Sequence, residues 1–224
     1  MTVLPIVAID GPAGTGKSTV SRGVAAALGW ECLDTGAMYR AMALAILNAG
    51  IALDDEPAIA SVIDDTEIVV GERVRINGQD VTDTIRAPET TTATSMLASL
   101  PFVRARLIAR QRAWVAERGR GVVEGRDITS VVLPDAAVRI YLYAVPEIRA
   151  QRRGEDESVA HRARTTEVIA GELELRDARD STLGRIVRLD QVPQGVTVID
   201  TSLQSAADVI AQIVAMYRAW ERHQ

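Results

Sequence analysis

Apolar positions fall into short unbroken runs, separated by longer stretches in which they recur every three or four residues. Val3–Ile9 is an unbroken run ending at Asp10-Gly11 and predicts a buried parallel strand. Lys17–Leu28 has helical composition, with Gly29 as its stop. Trp30–Leu33 predicts a second strand, and Ala37–Leu47 a helix that ends around Asn48-Ala49-Gly50. Strand and helix alternating at this spacing predict a doubly wound α/β sheet. The middle of the chain breaks that rhythm. Glu67–Val70 and Arg73–Ile76 are β-like, and Asn77-Gly78 is a strong turn signal, so a small hairpin insertion is expected. Ala87–Leu100 reads as helix, weakened by Thr90, Thr91, Thr92 and Thr94. Pro101 punctuates, and Phe102–Arg118 is helical, with Val103, Leu107, Gln111, Trp114, Val115 and Arg118 at three- and four-residue spacing. Gly121–Glu124, Val138–Tyr143 and Val196–Ile199 supply the third, fourth and fifth core strands. Pro146–Ser181 is charged and mostly helical, with an exposed break at Gly154 and Glu155-Asp156-Glu157. Ala206–Arg222 closes as an amphipathic helix, its stripe running Val209, Ile210, Ile213, Val214, Tyr217 and Trp220.

Composition narrows the possibilities. With 224 residues, 47% of them apolar and 25% charged, the chain can bury a sizeable core, which excludes wholesale disorder. Cys32 is the sole cysteine, so no intramolecular disulfide forms. With only His161 and His223 beside it, a Cys/His zinc site is excluded, and little is left for Ser-His-Asp chemistry. A net charge of −5 argues against a duplex-binding surface, so no nucleic-acid partner is expected. The start of the chain has no basic region ahead of an apolar stretch, and the apolar runs fall short of the ~18 residues of a membrane span. The expectation is a cytoplasmic protein without membrane contact. Of 25 basic residues, 24 are arginine, a bias that genomic base composition explains; the lone lysine is Lys17.

That lysine sits in Gly11-Pro12-Ala13-Gly14-Thr15-Gly16-Lys17-Ser18, a G-x-x-x-x-G-K-[ST] run between a predicted strand and a predicted helix. The glycines let the backbone approach phosphate, and successive N–H groups form an anion nest at a helix start. Lys17 supplies a compact charge for β- and γ-phosphates, and Ser18 a hydroxyl for Mg²⁺. The nucleotide-binding set is therefore Gly11, Pro12, Ala13, Gly14, Thr15, Gly16, Lys17, Ser18 and Thr19. A P-loop NTPase fold follows, but not yet a reaction. Signalling GTPases read guanine with N-K-x-D, which a chain without a second lysine cannot contain. Large motor ATPases need more chain. A small phosphotransferase that uses ATP and Mg²⁺ remains.

Three further motifs follow the loop in order: Asp34-Thr35-Gly36-Ala37-Met38-Tyr39-Arg40, Glu124-Gly125-Arg126-Asp127 and Arg176-Asp177-Ala178-Arg179-Asp180-Ser181-Thr182. Together they resemble the bacterial cytidylate (CMP/dCMP) kinases, over essentially the whole chain. The resemblance implies a five-stranded parallel core, a small NMP-binding insertion and a helical lid. Residues 1–35, 102–147 and 186–224 would form the core, 36–101 the NMP-binding region and 148–185 the lid. It implies CMP and dCMP as acceptors and a monomer. Arg40 and Arg126 become clamps on the acceptor phosphate, a role suited to bidentate, permanently charged guanidinium groups. Asp127 becomes a cytosine reader, since a carboxylate can accept from the exocyclic amine that uracil lacks; as a residue, it could equally cap a helix or pair with Arg126. Ser95 and Arg104 match positions at the cytosine edge, and Thr35 an acceptor-site position. Lys17, Arg126 and Arg176 carry the catalytic charge. Arg179 lies with Arg176 on the lid, and Asp180 accepts from the ribose hydroxyls. Arg152 and Arg153 face either adenine or the phosphates.

Two positions depart from the family pattern. Leu183 stands where arginine is usual, so a phosphate contact is missing or Arg185 or Arg188 replaces it. Thr129 stands where glycine is usual. Two rival readings remain at this level: another small-molecule P-loop kinase, such as a shikimate or AMP enzyme, and a nucleotide-binding switch that transfers nothing.

Overall fold

The computed structural model describes residues 3–156, 165–182 and 189–224. In chain order the elements are β1 (Leu4–Asp10), α1 (Lys17–Leu28), β2 (Cys32–Asp34), α2 (Thr35–Asn48), α3 (Glu56–Asp65), β3 (Ile68–Val70), β4 (Val74–Ile76), β5 (Gln79–Asp80), α4 (Pro88–Leu97), α5 (Pro101–Arg118), β6 (Gly121–Gly125), β7 (Ala136–Tyr143), α6 (Pro146–Asp156), α7 (Thr166–Thr182), β8 (Thr197–Asp200) and α8 (Ala206–Glu221). The chain divides into two compact units, Met1–Cys32 with Gly119–Gln224, and Leu33–Arg118.

The first unit is built on a five-stranded parallel sheet in the order β2-β6-β1-β7-β8. The order reverses at β1, so the chain winds outward in both directions from this central strand, as expected of a P-loop NTPase fold. β1 and β6 lie in register from Ile6 opposite Gly121 to Asp10 opposite Gly125, and every residue of β6 is buried. Burial of both faces is why these strands read as unbroken apolar runs. Val7, Ile9, Val122, Ile140 and Leu142 of the sheet pack with Val20 and Val24 of α1 and with Val209, Ile213 and Tyr217 of α8. Tyr217 meets the Trp30 ring edge-on at 4.6 Å between centroids.

Local chemistry explains where the boundaries differ from expectation. The second strand begins two residues late because Trp30 is still part of the helix exit: its N–H donates to Ala25 O at 2.8 Å, while Gly29 (φ 68°) turns the chain. Helix α2 starts early, at Thr35, because the Asp34 carboxylate accepts from the Ala37 N–H at 2.8 Å and caps it. Within the charged stretch after β7, Pro146–Asp156 and Thr166–Thr182 are helical, as α6 and α7. The break expected at Gly154 and Glu155-Asp156 is not seen, since those three residues continue α6 to its end at Asp156; Glu157 lies outside the described residues.

The second unit packs α2 against α4, α3 against α5, and α2 against the three-stranded antiparallel sheet β3-β4-β5. The turn signal is answered there: Asn77 (φ 48°) and Gly78 (φ 81°) link β4 to β5, with Ile76 opposite Gln79. Helix α3 was not expected from the sequence. Its inward face is only Ile59 and Ile63, and Asp55 caps it through the Ala58 N–H. The Arg110 guanidinium of α5 donates to the carbonyls of Thr66 (2.7 Å) and Ile63, stapling the two helices. Pro101 opens α5 as its first residue.

Candidate functional site

In the first unit the run Gly11–Gly16 joins the C-terminal end of β1 to α1. Gly14 (φ 78°) and Gly16 (φ 85°) take left-handed backbone, which favours glycine. A Cβ on Gly14 would also lie 2.6 Å from Arg149 O, so α6 packs directly on the loop. Lys17, Ser18 and Thr19 form the first turn of α1 behind Gly16, where the N–H groups of a helix start and the helix dipole favour an anion. The loop is braced from within: Pro12 O accepts from Thr15 Oγ1 at 3.0 Å and from Lys17 Nζ at 2.8 Å.

Distant elements brace it from outside. Arg149 of α6 donates to Ala13 O at 3.3 Å and pairs with Asp177 of α7. The same Asp177 carboxylate accepts from Arg126 Nη1 at 2.9 Å, so one carboxylate holds two guanidinium groups beside the loop. Arg149 and Asp177 border a cleft of about 380 Å³ that Pro12, Tyr141 and Tyr143 also line. Burial, then the Asp177 charge, pushes the Tyr141 hydroxyl up to about 12, so it stays neutral at pH 7. Thr201, at the end of β8, bridges its hydroxyl to Thr15 O (3.1 Å) and Tyr143 O (3.0 Å). Arg152 donates to the Thr201 hydroxyl (3.0 Å) and carbonyl (2.6 Å).

Arg126 follows β6 directly, and Asp127, nearly buried, stands before a wide helical turn at Ile128–Val132 without capping it. Asp10, the last residue of β1, is fully buried and accepts from the N–H groups of Ile128 and Thr129 and from the Thr129 hydroxyl. Desolvation raises its carboxyl to about 6, against the lowering effect of those three donors. Arg176, Arg179 and Asp180 fall in α7, but their side chains lie outside the described residues, as do Leu183, Arg185 and Arg188.

In the second unit Thr35 is buried at the start of α2, and Arg40 one turn on pairs with Asp34 at 3.4 Å. Gly36 keeps that helix start open: a Cβ there would lie 3.1 Å from the Asp34 carboxylate and 3.3 Å from Arg40 Nη1. Ser95 is half-buried on α4, donating to Thr91 O at 3.3 Å, and Arg104 is half-buried on α5. Sequence reasoning did not single out Asp10, Arg149 or Thr201 as parts of this scaffold. Asp177 lay inside the quoted Arg176–Thr182 motif; Arg149 had no signal of its own beyond its place after the fourth strand.

Ser18 is the one site residue read as a magnesium ligand, and no group of three or more His, Cys, Asp or Glu side chains that could hold a metal occurs among the described residues. A single hydroxyl at the helix start fits an ion that keeps its waters and takes its remaining ligands from phosphate, not an all-protein cage.

The model of the cytidylate kinase family matches residues 7–219. The chain belongs to the cytidylate kinase family. Among curated relatives, the cytidylate kinase of Mycobacterium leprae (strain Br4923) is 45% identical over 95% of each chain, and that of Mycobacterium avium (strain 104) 44% over 95% of each. A bifunctional pantoate ligase/cytidylate kinase of Synechocystis is 42% identical over 98% of this chain and 44% of its own length. Among solved structures, TT1252 from Thermus thermophilus superposes with a TM-score of 0.51 at 15% identity, covering 97% of this chain and 98% of its own, a likeness of fold. The family resemblance read from the motifs is thus borne out over the chain's length.

Proposed function

We propose that the chain transfers the γ-phosphate of ATP to CMP or dCMP, using the residues named above. The observation that supports this most is the set of cations in the first unit. Lys17 lies across the phosphate loop, Arg149 rests on it, and Arg126 is tied to Arg149 through Asp177. Phosphoryl transfer needs little covalent help; it needs two polyphosphates held in line with their charge neutralised. The loop N–H groups and Lys17 hold the donor's phosphates, and Lys17 exchanges the Pro12 carbonyl for phosphate oxygen. Arg126 and Arg40 take the acceptor phosphate; Arg176 reaches both nucleotides. Asp127, Ser95 and Arg104 read cytosine, Asp180 holds the ribose, and Thr35 lines the acceptor site. Ser18 would hold magnesium, which would supply charge neutralisation for the transferred phosphate. No general base is required, because the attacking phosphate oxygen is already anionic.

In this reading residues 36–101 carry the acceptor and 148–185 act as a lid over a core of 1–35, 102–147 and 186–224. The protein works as a cytoplasmic monomer without nucleic acid; among the described residues no helix is long and apolar enough to cross a membrane. A coupled ADP-release assay across CMP, dCMP, UMP, AMP and shikimate tests the reading. CMP and dCMP should lead. Preference for AMP or shikimate overturns the acceptor, and ATP binding without CDP formation overturns the transfer.

A further inference from the structure

Asp10 is a buried charge that the transfer scheme leaves without a task. It ends β1, one residue before the phosphate loop, and is 0% exposed. One carboxylate oxygen accepts from the Ile128 N–H at 2.7 Å. The other accepts from the Thr129 N–H at 2.8 Å and from Thr129 Oγ1 at 2.6 Å. All three donors belong to the first two residues of the turn that follows Arg126 and Asp127. A carboxylate out of water persists only where donors replace the water it lost. The two N–H groups would be present with any residue but proline at 128 and 129. The hydroxyl is the contribution of threonine alone, at a buried position (1% exposed). The titratable groups facing Asp10 are Asp127, whose charge opposes its ionisation, and Tyr141, opposite it in the β1–β7 register.

We propose that Thr129 is a positioning residue: its hydroxyl fastens the segment carrying Arg126 and Asp127 to the carboxylate at the root of the phosphate loop. The inference rests on the reading that those two residues face the acceptor nucleotide. Loss of the hydroxyl leaves one oxygen of Asp10 with a single donor, so Asp10 keeps its proton to higher pH. The segment loosens at its attachment, and the acceptor is affected more than ATP, which the loop itself holds.

Thr129→Val keeps the volume and removes the donor; Thr129→Ser keeps the donor. Carboxyl ¹³C NMR of the ligand-free protein follows the Asp10 titration, and steady-state kinetics give KM for CMP and for ATP separately. In Thr129→Val the Asp10 midpoint should rise above its starting value near 6, and the KM for CMP should rise about tenfold, the effect of one charge-assisted hydrogen bond. The KM for ATP should stay close to its starting value, and Thr129→Ser should restore both properties. An unmoved Asp10 midpoint in Thr129→Val, equal rises for CMP and ATP, or a serine variant as impaired as valine would overturn the inference. Failure of the acceptor reading is seen elsewhere: Asp127→Asn would leave the CMP-over-UMP preference unchanged, while the ligand-free Asp10 titration still judges the clamp.

Discussion

The two units hold their candidate site residues in different ways. Around the phosphate loop the ties run between elements far apart in the chain: Asp10 to Ile128 and Thr129, Thr15 to Thr201, Ala13 to Arg149, Arg126 to Asp177. Around α2 and α4 the ties are local: Asp34 to Ala37 and Arg40, Ser95 to Thr91. The long-range staples of the second unit, from Arg110 and Arg106, instead join α5 to the end of α3. The difference fits a division of labour. Phosphate chemistry needs donors fixed before the substrate arrives, since reorganisation at the moment of transfer raises the barrier. Acceptor recognition can tolerate side chains held by one helical turn. Substitutions at the phosphate loop and its braces should therefore strike turnover and global stability, while those around α2 and α4, like those at the acceptor-facing segment after β6, should strike acceptor KM.

The largest effect belongs to Lys17. Lys17→Ala removes the ammonium that lies across the loop, and kcat with saturating CMP should fall about 10²–10³-fold, the usual cost of one preorganised charge donor. The same coupled assay at varied ATP should show turnover suffering more than CMP affinity. An unchanged kcat with a raised CMP KM would reverse the division between the units.

Next comes the buried carboxylate of Asp10. Its folded-state value, about 6, exceeds the 3.8 of an unfolded aspartate. The native state thus keeps a proton that the unfolded chain gives up, and stability falls as pH rises from about 4 to about 6, then levels. A rise of about two units corresponds to about 3 kcal/mol lost across that window. Urea unfolding at intervals between pH 4 and 7 reads the slope. Asp10→Asn, although less stable throughout, should lose it. Asp200, whose carboxyl is held low by the Ser202 hydroxyl and N–H, contributes with the opposite sign at lower pH, but it is exposed and screened.

Much of this was legible in the chain. The core strands were visible because burial of both faces leaves unbroken apolar runs, and the phosphate loop because its geometry demands glycine at positions such as Gly14 and Gly16. The Asp34–Arg40 motif was legible through the family resemblance, and its cap and ion pair lie within two helical turns. Helix α3 was not, because two buried isoleucines in an acidic segment make no periodic stripe. Asp10, Thr201 and Arg149 were not marked either: their meaning comes from partners more than 50 residues away, and a single sequence carries no sign of which distant donor faces which carboxylate.

Thr201→Val tests the long-range side of the comparison at intermediate size. The hydroxyl serves Thr15 O and Tyr143 O and accepts from Arg152, so its loss leaves buried polar groups short of a partner. The expected cost is about 1–3 kcal/mol. For a chain of this length each kcal/mol lowers Tm by about 2–4 °C, which scanning calorimetry resolves. ATP affinity should weaken with it, because Thr15 belongs to the loop.

Asp34→Ala is the smallest test and the sharpest. It removes the cap of α2 and one ion-pair partner of Arg40 together. Loss of a cap costs about 1 kcal/mol. The ion pair, at 18% and 27% side-chain exposure, adds at most a fraction of that after solvent screening. Thermal stability should therefore drop only slightly, while loss of the ion pair that orients Arg40 should raise the KM for CMP and leave that for ATP alone. Asp34→Asn keeps a capping oxygen but not the charge, so it should restore Tm more fully than it restores the CMP KM. If both variants change ATP and CMP alike, local ties at α2 matter to the phosphate loop as well, and the two units do not divide the labour.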